Sequence, residues 1–160
     1  LRRALLHGSD LDARTEALLF AADRSHHVHS VVGPALRRGA VVVTDRYLDS
    51  SVAYQGAARD LGVHEVRALS HWATAGLLPD LTVLLDLDPA VAAARRSGGP
   101  DRLEREPGAF HHRVRRHFLE LAGTEPGRYL VLDATRPVDE LHRAVRDRLA
   151  PALPLAGARA

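Results

Sequence analysis

Two runs of apolar residues, V-V-V-T at 41–44 and L-T-V-L-L-D-L at 81–87, constrain the architecture of this chain more tightly than any other feature. Neither alternates apolar with polar residues, as a strand with one wet face would. Both therefore read as strands buried on both sides of a sheet. The segments around them carry helical periodicity, and strands alternating with helices imply a parallel sheet and an α/β fold. The first run ends abruptly in Asp45 and Arg46. Ligands of open parallel sheets bind beyond the carboxyl ends of the strands, so an acid and a guanidinium delivered together point to a phosphate ester and its metal counterion.

The rest of the chain fills in around these runs. Asp12 can cap a helix from residue 13, whose apolar positions Leu18, Leu19, Ala22, Val28, Val31 and Val32 recur at helical spacing. Gly33 and Pro34 should bend or interrupt it before residues 37–39 end it. A second helix is expected over 63–75 through Val66, Leu69 and Trp72, with Gly76 as its stop. Asp88 and Pro89 read as the cap and first turn of a third. Residues 95–108, R-R-S-G-G-P-D-R-L-E-R-E-P-G, break the periodicity and have the composition of a mobile lid. Helix resumes over 112–121, a short strand follows at 129–132, and an amphipathic helix runs from Pro137 to about Leu149. Residues 1–7 read as the end of a helix stopped by Gly8, and the Ala/Pro-rich tail from 150 as frayed. One domain over 1–149 and a tail over 150–160 result.

Composition excludes several classes of function. All 22 residues counted as Lys+Arg are arginine, and Cys, Met, Ile and Asn are absent, a bias expected of a GC-rich genome. The pI of about 9.6 reflects that arginine content, because 20 acidic residues leave a formal net charge of only +2. With 4% aromatic residues and no arginine block interleaved with them, a nucleic-acid-binding surface is not expected. No cysteine means no disulfide and no thiolate metal site. No apolar run approaches the roughly 18 residues of a membrane span and no secretory leader is recognisable, so a cytoplasmic protein is expected. The histidines at 26, 27, 29, 111 and 112 do not make a zinc shell, since adjacent histidines on a helix point apart. No G-x-S-x-G surrounds Ser50 and Ser51, which argues against a serine nucleophile.

Four segments, taken together, closely resemble bacterial thymidylate kinase: L-D-A-R-T-E-A-L-L-F-A-A-D-R (11–24), D-R-Y-L-D-S-S-V-A-Y-Q-G (45–56), P-D-L-T-V-L-L-D-L-D-P (79–89) and D-R-L-E (101–104). Their order and spacing match over residues 1 to about 149. The resemblance implies a phosphate-loop-kinase fold, a three-layer arrangement with helices on both faces of a five-stranded parallel sheet. It implies phosphoryl transfer from ATP, with Mg2+, to dTMP in a cytoplasmic homodimer, to which Leu18, Val28 and Trp72 can contribute. Phe20 then matches the aromatic that stacks on thymine, and Arg24 the arginine that hydrogen-bonds the base. Arg46 matches the arginine that holds the acceptor monophosphate, and Asp45 the carboxylate near the metal. Ser50, Ser51, Tyr54 and Gln55 fall where the family contacts sugar and base, the tyrosine crowding a ribose 2′-hydroxyl. Arg95, Arg96 and Arg102 lie in the segment matching the lid, where arginines offset charge on the transferring group.

The chain departs from the family in one respect. It contains neither the G-x-x-x-x-G-K-[ST] loop that cradles ATP phosphates nor any lysine. The expectation is that Leu1 is the cut edge of a longer protein, that the N-terminal strands are missing, and that the 160 residues alone do not phosphorylate dTMP. In the family a further strand lies between those matching 41–44 and 81–87, so a gap in the sheet is expected there. Two other readings remain open: a kinase of another deoxynucleotide or nucleoside, and a non-catalytic nucleotide-binding relic. Outside the resemblance, Arg113, Arg115 and Arg116 read as a solvated helix face, and Asp101 with Glu104 as local structure within the lid.

Overall fold

Asp12 starts the first helix as its residue type predicts: its side chain accepts hydrogen bonds from the backbone N–H groups of Arg14 and Thr15, both at 3.0 Å. In the computed structural model, which describes residues 11–95, 99, 101–151 and 153, this helix is α1 (Ala13–His27). The helix end read at 1–7, Arg96 and most of the tail lie outside the described residues. A π-helical turn (Val28–Val32) carries α1 directly into α2 (Gly33–Arg37). The interruption expected at Gly33 and Pro34 is thus a bulge inside a continuing helix. Proline has no N–H to give, and the wider turn lets the Gly33 N–H bond back to the Val28 carbonyl instead.

Helix α3 (Leu48–Ser51) passes into a second π-helical segment (Val52–Ala58). Gly56 lies in that segment, where an added Cβ would stand 3.2 Å from Val63 Cα, so a larger residue there would push the segment a few tenths of an ångström off the start of α4 (Val63–Ala73). Helix α4 ends where Ala75 and Gly76 both take positive φ, 52° and 74°, and the Gly76 N–H returns to the His71 carbonyl at 2.9 Å. Helix α1 packs against α3, the π-helical segment and α4 together.

Strands β1 (Thr82–Asp86) and β2 (Tyr129–Asp133) pair in parallel, with Thr82 opposite Tyr129 and Asp86 opposite Asp133. The crossover between them holds α5 (Pro89–Arg95) and α6 (Gly108–Thr124), and α7 (Val138–Leu149) packs back on β2. Asp88 caps α5 as expected, accepting from the Ala90 N–H at 2.9 Å. The core lies between the π-helical segment and α6, where Ala53, Ala58, Phe110 and Val114 are buried against Tyr54 and Phe118. A second cluster joins Leu121, Ala122 and Tyr129 to Leu84.

One expected strand is corrected. Residues 41–44 form no ladder, and Val41 and Val43 are 63% and 90% exposed. β-Branched residues favour a pleated chain, but a strand exists only by bonding to a neighbour. β1 bonds to β2 along one edge, and no described strand bonds to its other edge. Among the described residues the sheet therefore has two strands, within the expected alternation of helix and strand.

A buried ion pair ties the helical layer to the sheet. Arg128, at the entrance to β2, donates to both carboxylate oxygens of Asp49 on α3, at 2.8 and 3.2 Å, and to Glu125 at 2.8 Å. Removing one partner of such a pair strands the other charge away from water. We expect Asp49→Ala to lower the unfolding free energy in urea by about 3 kcal/mol or more; a loss under about 1 kcal/mol, typical of an exposed pair, would contradict this reading.

At the opposite end of the strands Arg115 of α6 grips Asp86 with Nε at 2.7 Å and Nη2 at 2.9 Å, which holds that carboxyl below the usual carboxylate range. Glu125 is lowered in the same way by Arg128. Because both folded values are depressed, their contribution is complete above the ordinary carboxylate range and is lost as pH falls through the lowered values. Urea midpoints measured from pH 7 to pH 3 should therefore fall for the parent chain below about pH 4, and fall less steeply in Arg115→Gln. Identical slopes for the two proteins would show that the Asp86 contact contributes nothing.

Candidate nucleotide acceptor site

Arg46 has a φ of 63°, a left-handed conformation that a side chain with a Cβ adopts only at a cost of about 1 to 3 kcal/mol. The Thr44 hydroxyl holds the turn by donating to the Arg46 carbonyl at 2.7 Å. The twist sends the Arg46 guanidinium over the ring of Tyr54, 4.9 Å from its centroid. Tyr54 is in turn braced edge-on by Phe110 at 5.9 Å. Arg46 and Tyr54 together line an open cleft of about 310 Å³ at the carboxyl end of β1, bounded also by Asp86, Pro89, His111 and Arg115. This is the sheet edge where ligands of α/β folds gather. Arg115 is already paired with Asp86 and Asp88, so the guanidinium offered to the cleft is that of Arg46. Asp45 is exposed beside it, without a partner among the described residues.

Of the residues expected to meet a base and sugar, Arg24 and Ser51 are brought into contact. Arg24 sits one helical turn beyond the half-buried Phe20 on α1, and its Nη1 donates to the Ser51 hydroxyl at 3.1 Å. Burial disfavours its charge and pulls its pKa down from the ordinary arginine value. Tyr47 lies beneath it, with the guanidinium 5.8 Å from the ring centroid and the phenol donating to the Leu77 carbonyl at 3.2 Å. Burial pushes the Tyr47 phenol up, which keeps it a neutral donor. Ser50 is half-buried in the same short helix.

Gln55 is placed differently from its neighbours. It is 2% exposed, and its side-chain amide donates to Glu16 Oε1 at 2.6 Å. Glu16, on α1, has no exposure at all. Its other oxygen accepts from Arg59 at 3.4 Å and from Arg102. Arg59 reaches on to Glu106 at 2.7 Å and lies over the Phe110 ring at 5.1 Å. Burial opposes its charge, but Glu16 and Glu106 outweigh that and raise its pKa. Of the three lid arginines, Arg102 thus turns inward, whereas the exposed Arg95 ends α5 and donates to the Ala134 carbonyl at 2.9 Å. Asp101 and Glu104 cap each other's backbone N–H groups at 2.9 and 2.8 Å, the local structure expected of them.

Sequence reasoning missed Glu16, Asp49, Arg59 and Arg128, the charged residues that hold the site's walls. One signal was available for Glu16: it lies four residues before Phe20 and beside Ala17 and Ala21, both buried, so it shares the inward face of α1. The solvated face assigned to Arg113, Arg115 and Arg116 is corrected at Arg115. Arg113 and Arg116 are exposed, although Arg113 also donates to the Ala58 carbonyl at 3.1 Å, whereas Arg115 binds Asp86. Helical spacing alone did not reveal that α6 crosses the end of β1 there.

Residues 1–145 match the family model described as thymidylate kinase. The chain is 59% identical to a thymidylate kinase of Clavibacter michiganensis, over all of this chain and 77% of the relative. It is 58% identical to one of Leifsonia xyli, covering 93% and 72%, and 52% identical to one of Deinococcus radiodurans, covering 85% and 67%. A family match over residues 1–145 joined to such identities shows that the chain belongs to the thymidylate kinase family.

Proposed function

We propose that the protein transfers the terminal phosphoryl group of ATP to dTMP, giving dTDP and ADP. The observation that carries this reading is Arg46, held in a strained left-handed turn over Tyr54 at the rim of the cleft beyond β1. A guanidinium pre-aimed in this way suits the monophosphate of an acceptor nucleotide, because its fork matches phosphate oxygens and loses little freedom on binding. Phe20 then stacks on the base and Arg24 hydrogen-bonds its edge, with Ser51 orienting the guanidinium through the 3.1 Å contact. Stacking is worth about 1 to 3 kcal/mol per base and cannot select thymine alone, so Arg24 carries the discrimination. Tyr54, wedged between Arg46 and Phe110, limits the room beside the sugar and favours a deoxyribose. Ser50 and Gln55 complete the sugar side, Gln55 through its hold on Glu16.

The residues present fit a magnesium ion accompanying ATP: Asp45 is an exposed carboxylate with no partner among the described residues, the hard oxygen donor Mg2+ takes. Asp45 would hold it, directly or through water, and the ion would offset charge on the phosphate oxygens. Of the lid arginines, Arg95 and Arg96 are left to supply positive charge on the donor side, because Arg102 is turned inward onto Glu16. A second copy of the chain is read onto α1 and α4, supported by Leu18 and Trp72, 52% and 83% exposed, with Val28 half-buried nearby. None of the described helices is long and apolar enough to cross a membrane, which accords with a cytoplasmic enzyme.

Steady-state ADP release by the protein expressed from its complete reading frame tests the assignment. dTMP should be the preferred acceptor over dCMP, dUMP and thymidine by about tenfold or more in kcat/KM; preference for dCMP or a nucleoside would overturn it. In the same protein Arg46→Ala should weaken dTMP binding about 10- to 100-fold, the worth of a charge-assisted hydrogen bond, and change ATP affinity by less than about threefold. Calorimetry showing equal losses for the two nucleotides would remove the role given to Arg46.

A further inference from the structure

A carboxylate with no exposure needs donors on every lone pair it presents, and those around Glu16 come from three separate parts of the chain. Gln55 comes from the acceptor segment, Arg59 from the turn that follows it, and Arg102 from the 101–106 turn. Arg102 is itself largely covered, at 11% side-chain exposure, and Arg59 secures the far end of the same turn by its 2.7 Å contact with Glu106. Glu16 also precedes Phe20 and Arg24 by one and two turns on α1, so the face that meets the base is the face that carries the buried charge. From Arg59 the contacts continue through Phe110 and Tyr54 to Arg46.

We propose that Glu16 is a positioning residue for the acceptor nucleotide: its buried carboxylate gathers Gln55, Arg59 and Arg102 into one cluster that sets the 101–106 turn against the helix face bearing Phe20 and Arg24, and Arg102 acts through Glu16 and not on the donor phosphates. The proposal rests on the acceptor-site reading given above, which it refines. It divides the lid arginines by role. Arg102 belongs to the acceptor wall, which leaves donor charge to the arginines outside this cluster.

Glu16→Gln and Arg102→Gln in the protein expressed from its complete reading frame separate the two roles. Both should raise the KM for dTMP about tenfold with kcat and the KM for ATP within about threefold, and the double variant should be no worse than either single one. A kcat loss of about 100-fold in Arg102→Gln at unchanged KM for dTMP, not reproduced by Glu16→Gln, would overturn the proposal, because that is the signature of a group touching the transferring phosphoryl. Additive losses in the double variant would overturn it too. Hydrogen exchange supplies a readout independent of catalysis: either variant should speed exchange of the 101–106 amides about tenfold and leave α7 unchanged. Unchanged exchange at 101–106 refutes the tether even if the parent enzyme shows no dTMP turnover, an outcome that would by itself count against the functional reading alone.

Discussion

Glu16 is the constraint to which the packing of α1, the 52–59 segment and the 101–106 turn answers. Taking an ionised carboxylate wholly out of water costs several kcal/mol unless charge and hydrogen bonds replace its hydration. The replacements here cannot be local, since helix α1 offers no cation on its inward face near Glu16. They are drawn from Gln55, Arg59 and Arg102, up to 86 residues away in sequence. A chain that satisfies this one carboxylate has already docked α1 on the acceptor segment and brought the 101–106 turn onto both.

Asp49 and Arg128 act as the opposing clamp. They fasten the other end of the same segment to the mouth of β2, with Thr82 of β1 also within 3.1 Å of Arg128. Between the two clamps lie Ser50, Ser51 and Tyr54, with Arg46 just ahead of the first, the side chains that face a nucleotide in the proposed function. The strained turn at Arg46 is held by the Thr44 hydroxyl on its carbonyl and, three residues on, by the Asp49 clamp. Walls tied by ion pairs, beside a guanidinium aimed by a strained backbone turn, pre-organise a phosphate site without spending binding energy on ordering it.

Much of this was legible in the residues. The helices over 13–37, 63–73 and 138–149, the strands at 82–86 and 129–133 and the caps at Asp12 and Asp88 follow from period, β-branching and cap chemistry. The contacts Arg24 to Ser51 and Arg46 to Tyr54 join residues that motif matching had singled out separately. Two things were not legible. Residues 41–44 have every local property of a strand, but pairing is a relation with another segment, and composition cannot supply the neighbour. Glu16, Asp49, Arg115 and Arg128 look like ordinary surface charges in one dimension. Their burial is decided by which helix crosses which strand, a long-range fact that periodicity does not encode.

The account stands or falls on where an acceptor nucleotide lies between α1 and the 45–55 segment. A crystal structure with dTMP bound would show this directly. It should place the thymine ring against Phe20 with its edge at Arg24, and the monophosphate within hydrogen-bonding distance of the Arg46 guanidinium. A nucleotide seated elsewhere, or Arg46 turned away from the phosphate, would contradict the site described here.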